Sequence, residues 1–425
     1  MMSRRRVAVT GMGIISPVGN TVASAWNAVR NGQSGIGRIT LFDPAEYPVQ
    51  IAGEVKGFEL SSYGVEHRAQ RKMARFAQFL LAASIQAVDD AGFTAQTLSA
   101  ERTGIVVGNC LGGAEAVDSA YKKYFAPSPG ARLIPALTTP LSISNEGAAN
   151  VSIHFGLHGP ALTVSTACAS GTDAIGMAAD IIRAGRADVC ISGGTEAAIL
   201  GYSIASYSSL QVLSYHFNDS PEKASRPFDR ERDGFVVGEG AAVLLLEEFE
   251  HARRRGARIY AELAGYGASS DAYHIAAPLA DGRGAAQAVS DAIADAGLQP
   301  QDIQYYNAHG TSTVVNDHAE TLMLKQVFGD YARRLHISST KSMTGHMIGA
   351  AGAAEAVFCV KALQEGFVPP TINLEHPDAE NGCDLDYTPL KGISVPIRAA
   401  ASGSLGFGGH NSCLVLTKAG EDNAG

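Results

Sequence analysis

The chain has no C-x-x-C pair, no excess of basic residues, and no uninterrupted apolar run near the ~18 residues a membrane span needs. Its six cysteines (Cys110, Cys168, Cys190, Cys359, Cys383 and Cys413) are scattered along 425 residues. That excludes zinc-ribbon and thioredoxin-type motifs and makes a disulfide scaffold implausible at this size. Lys and Arg number 33 against 42 Asp and Glu, a formal net charge of −9, which argues against a general nucleic-acid binder. Glycine is frequent, at 47 residues, but follows no Gly-X-Y period, so a collagen-like chain is excluded. Gly11-Met12-Gly13 lacks a third glycine at the dinucleotide spacing and no phosphate-loop lysine motif occurs, so no nucleotide cofactor is expected. The basic start, Met1 to Arg6, precedes an apolar stretch too short and too glycine-rich for a signal peptide. A buried first strand and a cytoplasmic location are the expectations.

What is present is an ordinary globular composition, 46% hydrophobic and 18% charged. At this length two packed units are expected. Short apolar runs alternate with helical patterns, the mark of strands buried between helices in an α/β fold. The first half, residues 1–256, offers strands at Arg6–Thr10, Gly104–Val107, Leu162–Ser165, Asp188–Ser192 and Ala242–Leu246, with a helix over Thr172–Ala184. The second half, residues 257–425, offers strands at 259–264, 303–307, 335–339, 398–403 and 412–417, with helices at 285–296, 317–328 and 350–364. Val7–Gly13 and Tyr260–Gly267 are weakly alike, and each opens its half. The pattern points to a duplicated fold with a site where the halves meet.

Cys168 lies in Ser165-Thr166-Ala167-Cys168-Ala169-Ser170-Gly171, between a predicted strand and a predicted helix. That junction resembles a nucleophile elbow, and the helix N-terminus is expected to favour thiolate over thiol. The other five cysteines read as buried structural groups. His309, in Asn307-Ala308-His309-Gly310-Thr311-Ser312-Thr313, and His346, in Lys341-Ser342-Met343-Thr344-Gly345-His346, both follow predicted strands, at the sheet edge where α/β proteins build sites. The other ten histidines read as core or surface groups. Nothing close in sequence adds a further ligand to a Cys-His-His set, so no metal site is expected. The turn Gly406-Phe407-Gly408-Gly409 can aim a backbone amide at a substrate, as an oxyanion hole requires.

Taken in order, these motifs resemble the β-ketoacyl-acyl-carrier-protein synthases, condensing enzymes of the thiolase-like fold. Further carriers of the resemblance are Ser192-Gly193-Gly194-Thr195-Glu196 and Arg226-Pro227-Phe228-Asp229 with Asp233-Gly234-Phe235. The resemblance implies that Cys168 stores an acyl group, that His309 and His346 donate from Nε2 to the malonyl thioester oxygen, and that the amides of Cys168 and Phe407 form the oxyanion hole. It implies that Lys341 and Glu355 pair behind the histidines. Phe407 is expected to gate the site together with Tyr207, a tyrosine at a family gating position, set in an unusually polar stretch. Leu111, Thr138, Thr311 and Thr313 are expected in the substrate pocket. No cofactor is implied.

The implied partners are acyl- and malonyl-acyl-carrier proteins, which are acidic and call for a basic patch. Arg68, Arg71, Lys72 and Arg75 fall on one helical face by spacing, and Arg71, Lys72 and Arg132 match family docking positions. The segment Arg132–Pro140 is expected to reach across a dimer. The dimer is either a homodimer, as in fatty-acid elongation, or a pair with a chain-length sister subunit, as in polyketide assembly. A degradative thiolase would carry a second cysteine in its C-terminal glycine turn, where this chain has Phe407; a non-catalytic sister subunit would lack the nucleophile.

Overall fold

The strand pattern organises everything else. The computed structural model describes residues 4–94, 96–126 and 130–420. In the first half the strands are β1 (Val7–Ile15), β2 (Thr103–Gly108), β3 (Ala161–Val164), β4 (Val189–Glu196) and β5 (Gly240–Glu248). In the second they are β6 (Ala261–Ser270), β7 (Tyr305–Asn307), β8 (His336–Ser338), β9 (Ala399–Gly406) and β10 (His410–Thr417). Between them run α1 (Arg75–Asp90), α2 (Ala114–Tyr124), α3 (Ser170–Arg183), α4 (Gly201–Ser209), α5 (Arg283–Asp295), α6 (Val314–Phe328) and α7 (Ala351–Glu365).

The ten strands form one mixed sheet in the order β8-β7-β9-β10-β6-β1-β5-β4-β2-β3. Read outward from the middle, the two halves repeat each other. β1 pairs antiparallel with β5 as β6 does with β10; β4 and β5 are antiparallel, as are β9 and β10. The outer pairs, β4–β2–β3 and β9–β7–β8, are all parallel. Only the pairs Ala8–Glu262 and Val9–Ala261 join the halves along the sheet.

Alternation along the strands explains the layering, because successive side chains face opposite sides. In β5, Leu244 and Leu246 face a central core that contains α3 and α7, while Val243 and Leu245 face an outer core built on α1. In β10, Leu414 and Leu416 join the same central core, and Cys413 and Val415 face a second outer core with α5 and α6. The layers therefore run helix, one half of the sheet, helix, the other half of the sheet, helix.

The likeness of Val7–Gly13 to Tyr260–Gly267 has a steric cause. A Cβ on Gly11 or Gly13 would stand 2.0 or 1.9 Å from carbonyl oxygens of α1, and one on Gly265 or Gly267 would stand 2.0 or 2.2 Å from those of α5. Each opening strand needs two glycines so that a helix backbone can lie against it. The strands also run further than expected: β1 to Ile15 rather than Thr10, and β6 to Ser270 rather than 264. Among the described residues, no helix is long and apolar enough to cross a membrane.

Candidate active site

Parallel strands end at a common edge, and the predicted residues emerge there. Cys168 sits on the tight turn Ala167–Ala169 between β3 and α3. Ala167 has φ 52°, a left-handed conformation that side chains with a Cβ seldom adopt. The kink is pinned on both sides: Thr166 N donates to Ser170 Oγ at 2.9 Å, and Ser170 Oγ donates to Ala167 O at 2.6 Å. The amides of Phe407 and of Cys168 itself both reach the Cys168 sulfur. Gly406 makes that approach possible, since a Cβ there would lie 2.7 Å from Thr166 O and 3.2 Å from Cys168 N.

His309 follows β7 by two residues. Its amide donates to Glu320 Oε1 and that of Gly310 to Oε2, both at 2.7 Å, so one carboxylate on α6 clamps the loop. Glu196 plays the same part after β2, accepting from Cys110 N at 3.0 Å, Leu111 N at 3.2 Å and Gly349 N at 3.2 Å. His346 is held by its own backbone: its amide donates to Val236 O at 2.7 Å and its carbonyl accepts from Gly238 N at 2.8 Å. The two imidazoles meet edge to face, with centroids 5.2 Å apart, and Phe235 packs on His346 at 5.3 Å. Behind them Lys341, 1% exposed, pairs with Glu355.

Burial sets the protonation states. Desolvation, helped by the charge of Lys341, holds both imidazoles well below the ordinary histidine range, so both are neutral. Nδ1 of each ring is sealed without a partner. A buried N–H without an acceptor is rarer than a bare lone pair, so Nε2 is the atom that carries the proton. The thiol departs from the expectation. Desolvation pushes Cys168 up to about 12, and the opposing pull of Lys341 and of the two amides does not offset it. Burial therefore opposes the ionisation that the start of α3 was expected to favour.

The family model "Beta-ketoacyl synthase, N-terminal domain" matches residues 4–252, and "Beta-ketoacyl synthase, C-terminal domain" matches residues 260–375. The chain belongs to the β-ketoacyl synthase family. It is 44% identical over 417 residues to 3-oxoacyl-[acyl-carrier-protein] synthase 2 of Synechocystis sp., covering 98% of this chain and 99% of that one. Among solved structures it is similar to the ishigamide ketosynthase/chain length factor, with a TM-score of 0.92, 34% identity, and coverage of 98% and 100%. It is also similar to a ketosynthase bound to the hexaketide, in complex with its type II PKS acyl-carrier protein, with a TM-score of 0.90, 35% identity and the same coverage.

In this β-ketoacyl synthase, Cys168, His309, His346, Phe407, Tyr207, Thr311 and Thr313 line one cavity of about 460 Å³. Leu111 packs against the apolar cluster that holds Cys168 but is not among the residues lining this cavity. Thr138, in the segment expected to reach a partner's pocket, lies half-buried on the short helix Thr138–Ser142. Cys110, read from sequence as an inert structural cysteine, does line the cavity. It stands two residues past β2, as His309 stands two past β7, and that repeat was the available signal. His274 also lines the cavity, its Nδ1 accepting from the amides of Ala276 and Ala277 at 3.1 and 3.0 Å. Asp271 and Asn411, joined at 2.7 Å, tie the glycine turn after β9 to that loop.

The basic residues do not share a helical face. His67–Gln70 is a single turn, the chain breaks at Arg71 and Lys72, and α1 starts only at Arg75. Arg75 turns inward to Glu239, with Nη2–Oε1 at 2.6 Å and Nε–Oε2 at 2.9 Å. Arg68, Arg71, Lys72 and Arg132 are exposed and form no ion pair among the described residues.

Proposed function

We propose that this chain condenses an acyl group held on Cys168 with malonyl-acyl-carrier protein, giving 3-oxoacyl-acyl-carrier protein and carbon dioxide. The observation that carries the reading is the meeting, in one cavity, of a buried thiol, two neutral imidazoles and two amides aimed at the sulfur. In the first half-reaction the Cys168 sulfur attacks the thioester carbonyl of the acyl carrier. The C–S bond to the carrier breaks, and the carrier thiol leaves with the proton that Cys168 gave up. The amides of Cys168 and Phe407 hold the tetrahedral oxyanion.

In the second half-reaction the malonyl C–C bond breaks and its electron pair enters the enolate. His309 and His346, donating from Nε2, hydrogen-bond the thioester oxygen as that charge grows; one such donor contributes roughly 3–4 kcal/mol. The enolate carbon attacks the acyl carbonyl, Cys168 leaves as thiolate, and one proton from solvent restores the thiol. Lys341, paired with Glu355, positions the imidazoles, and its charge helps keep them neutral; Thr311 and Thr313, whose hydroxyls lie 2.9 Å apart on the cavity wall, receive the carrier's arm.

Fatty-acid elongation is the setting we favour; the relatives at 44% identity carry the name 3-oxoacyl-[acyl-carrier-protein] synthase 2. A second reading, the catalytic subunit of a type II polyketide synthase, is supported by the two ketosynthase structures and by Tyr207. In either setting the same proposal includes a dimer and a cytoplasmic reaction. β3 lies at the sheet edge with Leu162 exposed, and Leu133, Ile134 and Leu137 are exposed as well. Such a surface suits a second subunit. Arg71, Lys72 and Arg132 supply the basic docking patch.

The test mixes the purified chain with acyl- and malonyl-carrier proteins and follows carrier-bound products by mass spectrometry. A 3-oxo product extended by one unit is expected, and Cys168→Ala should lose acyl attachment. Acylation retained on another residue overturns the assignment of the nucleophile.

A further inference from the structure

The polar stretch Ser206-Tyr207-Ser208-Ser209-Leu210-Gln211 forms the end of α4 and the turn after it. Tyr207 and Gln211, four residues apart, both line the cavity. Their neighbours on that wall, Leu210, Val212, Phe235 and Ile348, are apolar. Tyr207, Cys110 and Val212 pack against the apolar cluster that contains Cys168, Phe235 and Ile348, so this is the wall on the nucleophile's side. The Tyr207 ring is fixed edge to face on Phe235, with centroids 5.6 Å apart. Phe235 in turn packs on His346.

The Tyr207 hydroxyl makes no hydrogen bond to any described residue, and it is not among the oxygens sealed from contact. Gln211 is exposed, has no side-chain partner among the described residues and is held at φ 56°. A hydroxyl that can both donate and accept is therefore presented to the cavity beside apolar neighbours, with Asp233 also among the lining residues. A saturated acyl chain would leave it unpaired and displace its water, which is costly; an oxygen on the chain would pair with it.

We propose that Tyr207 is a specificity-determining residue that selects acyl groups carrying an oxygen on the first carbons beyond the thioester, such as 3-hydroxyacyl or 3-oxoacyl chains. The inference rests on the reading of Cys168 as the site of acyl storage. Its phenol hydrogen-bonds the substituent oxygen and Gln211 extends the polar strip along the chain. No covalent step is added.

The experiment offers the full chain an equal mixture of butyryl- and 3-hydroxybutyryl-carrier protein and reads the ratio of the two acyl-enzymes by intact-protein mass spectrometry. Parent, Tyr207→Phe and Gln211→Leu proteins are compared, with Cys168→Ala to fix the attachment site. Tyr207→Phe, which keeps the ring and its packing, should lower the hydroxy-to-plain ratio about threefold to tenfold, the loss of one hydrogen bond. Gln211→Leu should lower it less. An unchanged ratio in Tyr207→Phe overturns the role of Tyr207 while leaving the nucleophile in place. A parent protein that takes up neither acyl group on Cys168 overturns the underlying reading, and this one with it.

Discussion

Burial acts in opposite directions on the two kinds of titratable group in this cavity, favouring one half-reaction and burdening the other. An imidazole held neutral can donate a hydrogen bond without first losing a proton. Decarboxylation of malonyl-carrier protein should therefore show no acid limb near the ordinary histidine value of about 6.5, and an inflection there in a pH–rate profile would contradict the assignment. The thiol pays the cost of the same burial. With Cys168 pushed up to about 12, single-turnover acylation should keep accelerating with pH through the neutral and mildly alkaline range. A plateau setting in near pH 7 would show that the helix terminus governs after all. The histidines also enter stability. Their folded values lie below the unfolded one, so the unfolded chain binds more protons in acid, and their contribution, present above about 6.5, is lost as pH falls through that value. A His309→Asn/His346→Asn protein should accordingly lose less Tm than the parent between pH 7 and pH 5.

Elements matter here through the loops that leave them. The carboxylates of Glu196 and Glu320 each gather backbone amides from a loop at the sheet edge, and burial raises both to about 7. Glu320→Gln replaces one accepting oxygen with a donor opposite an amide, so one of the two bonds at 2.7 Å is lost. The expected result is a stability loss of about 1–3 kcal/mol and slower decarboxylation, because His309 is no longer aimed by its loop. Chemical denaturation and a kinetic assay on the same sample check both. Gly406→Ala tests the other wall. Its Cβ has no room against Thr166 O and Cys168 N, so the Phe407 amide must move away from the sulfur. Acylation should fall about 100-fold or more, with decarboxylation affected far less; equal losses would place the strain elsewhere.

On the scale of the whole molecule, two exposed surfaces test the proposed partners. Leu133, Ile134 and Leu137 are 45%, 39% and 41% exposed, a cost that the proposed second subunit would remove. Leu133→Asp with Leu137→Asp should shift sedimentation from dimer toward monomer, and an unchanged mass would place the interface on another face. In the proposed docking role the basic residues act at longer range. Arg71→Glu with Lys72→Glu should raise KM for carrier-bound substrates about tenfold, and the difference should shrink as salt rises. Small thioesters that bypass the carrier should react as before.

Local pattern carried much of this protein's reading. A strand, a small-residue turn and a helix lie within about twenty residues of Cys168, so the elbow could be recognised without knowing what packs on it. His309, His346 and Phe407 were found by the same token, each just past a strand, and the paired glycines of β1 and β6 left a faint trace of the duplication. Other features depend on contacts between distant parts of the chain. Whether the thiol ionises is a balance of desolvation against Lys341 and two amides, one of them from Phe407, 239 positions further along. Arg75 departs from its basic neighbours because Glu239 waits for it inside. Cys110 enters the cavity and Leu111 does not, because Glu196 fixes the direction of the loop that carries both. Sequence spacing names the groups and the elements that hold them; the depth of burial and the aim of each side chain come only from tertiary packing, since desolvation and direction are sums over neighbours that no local window contains.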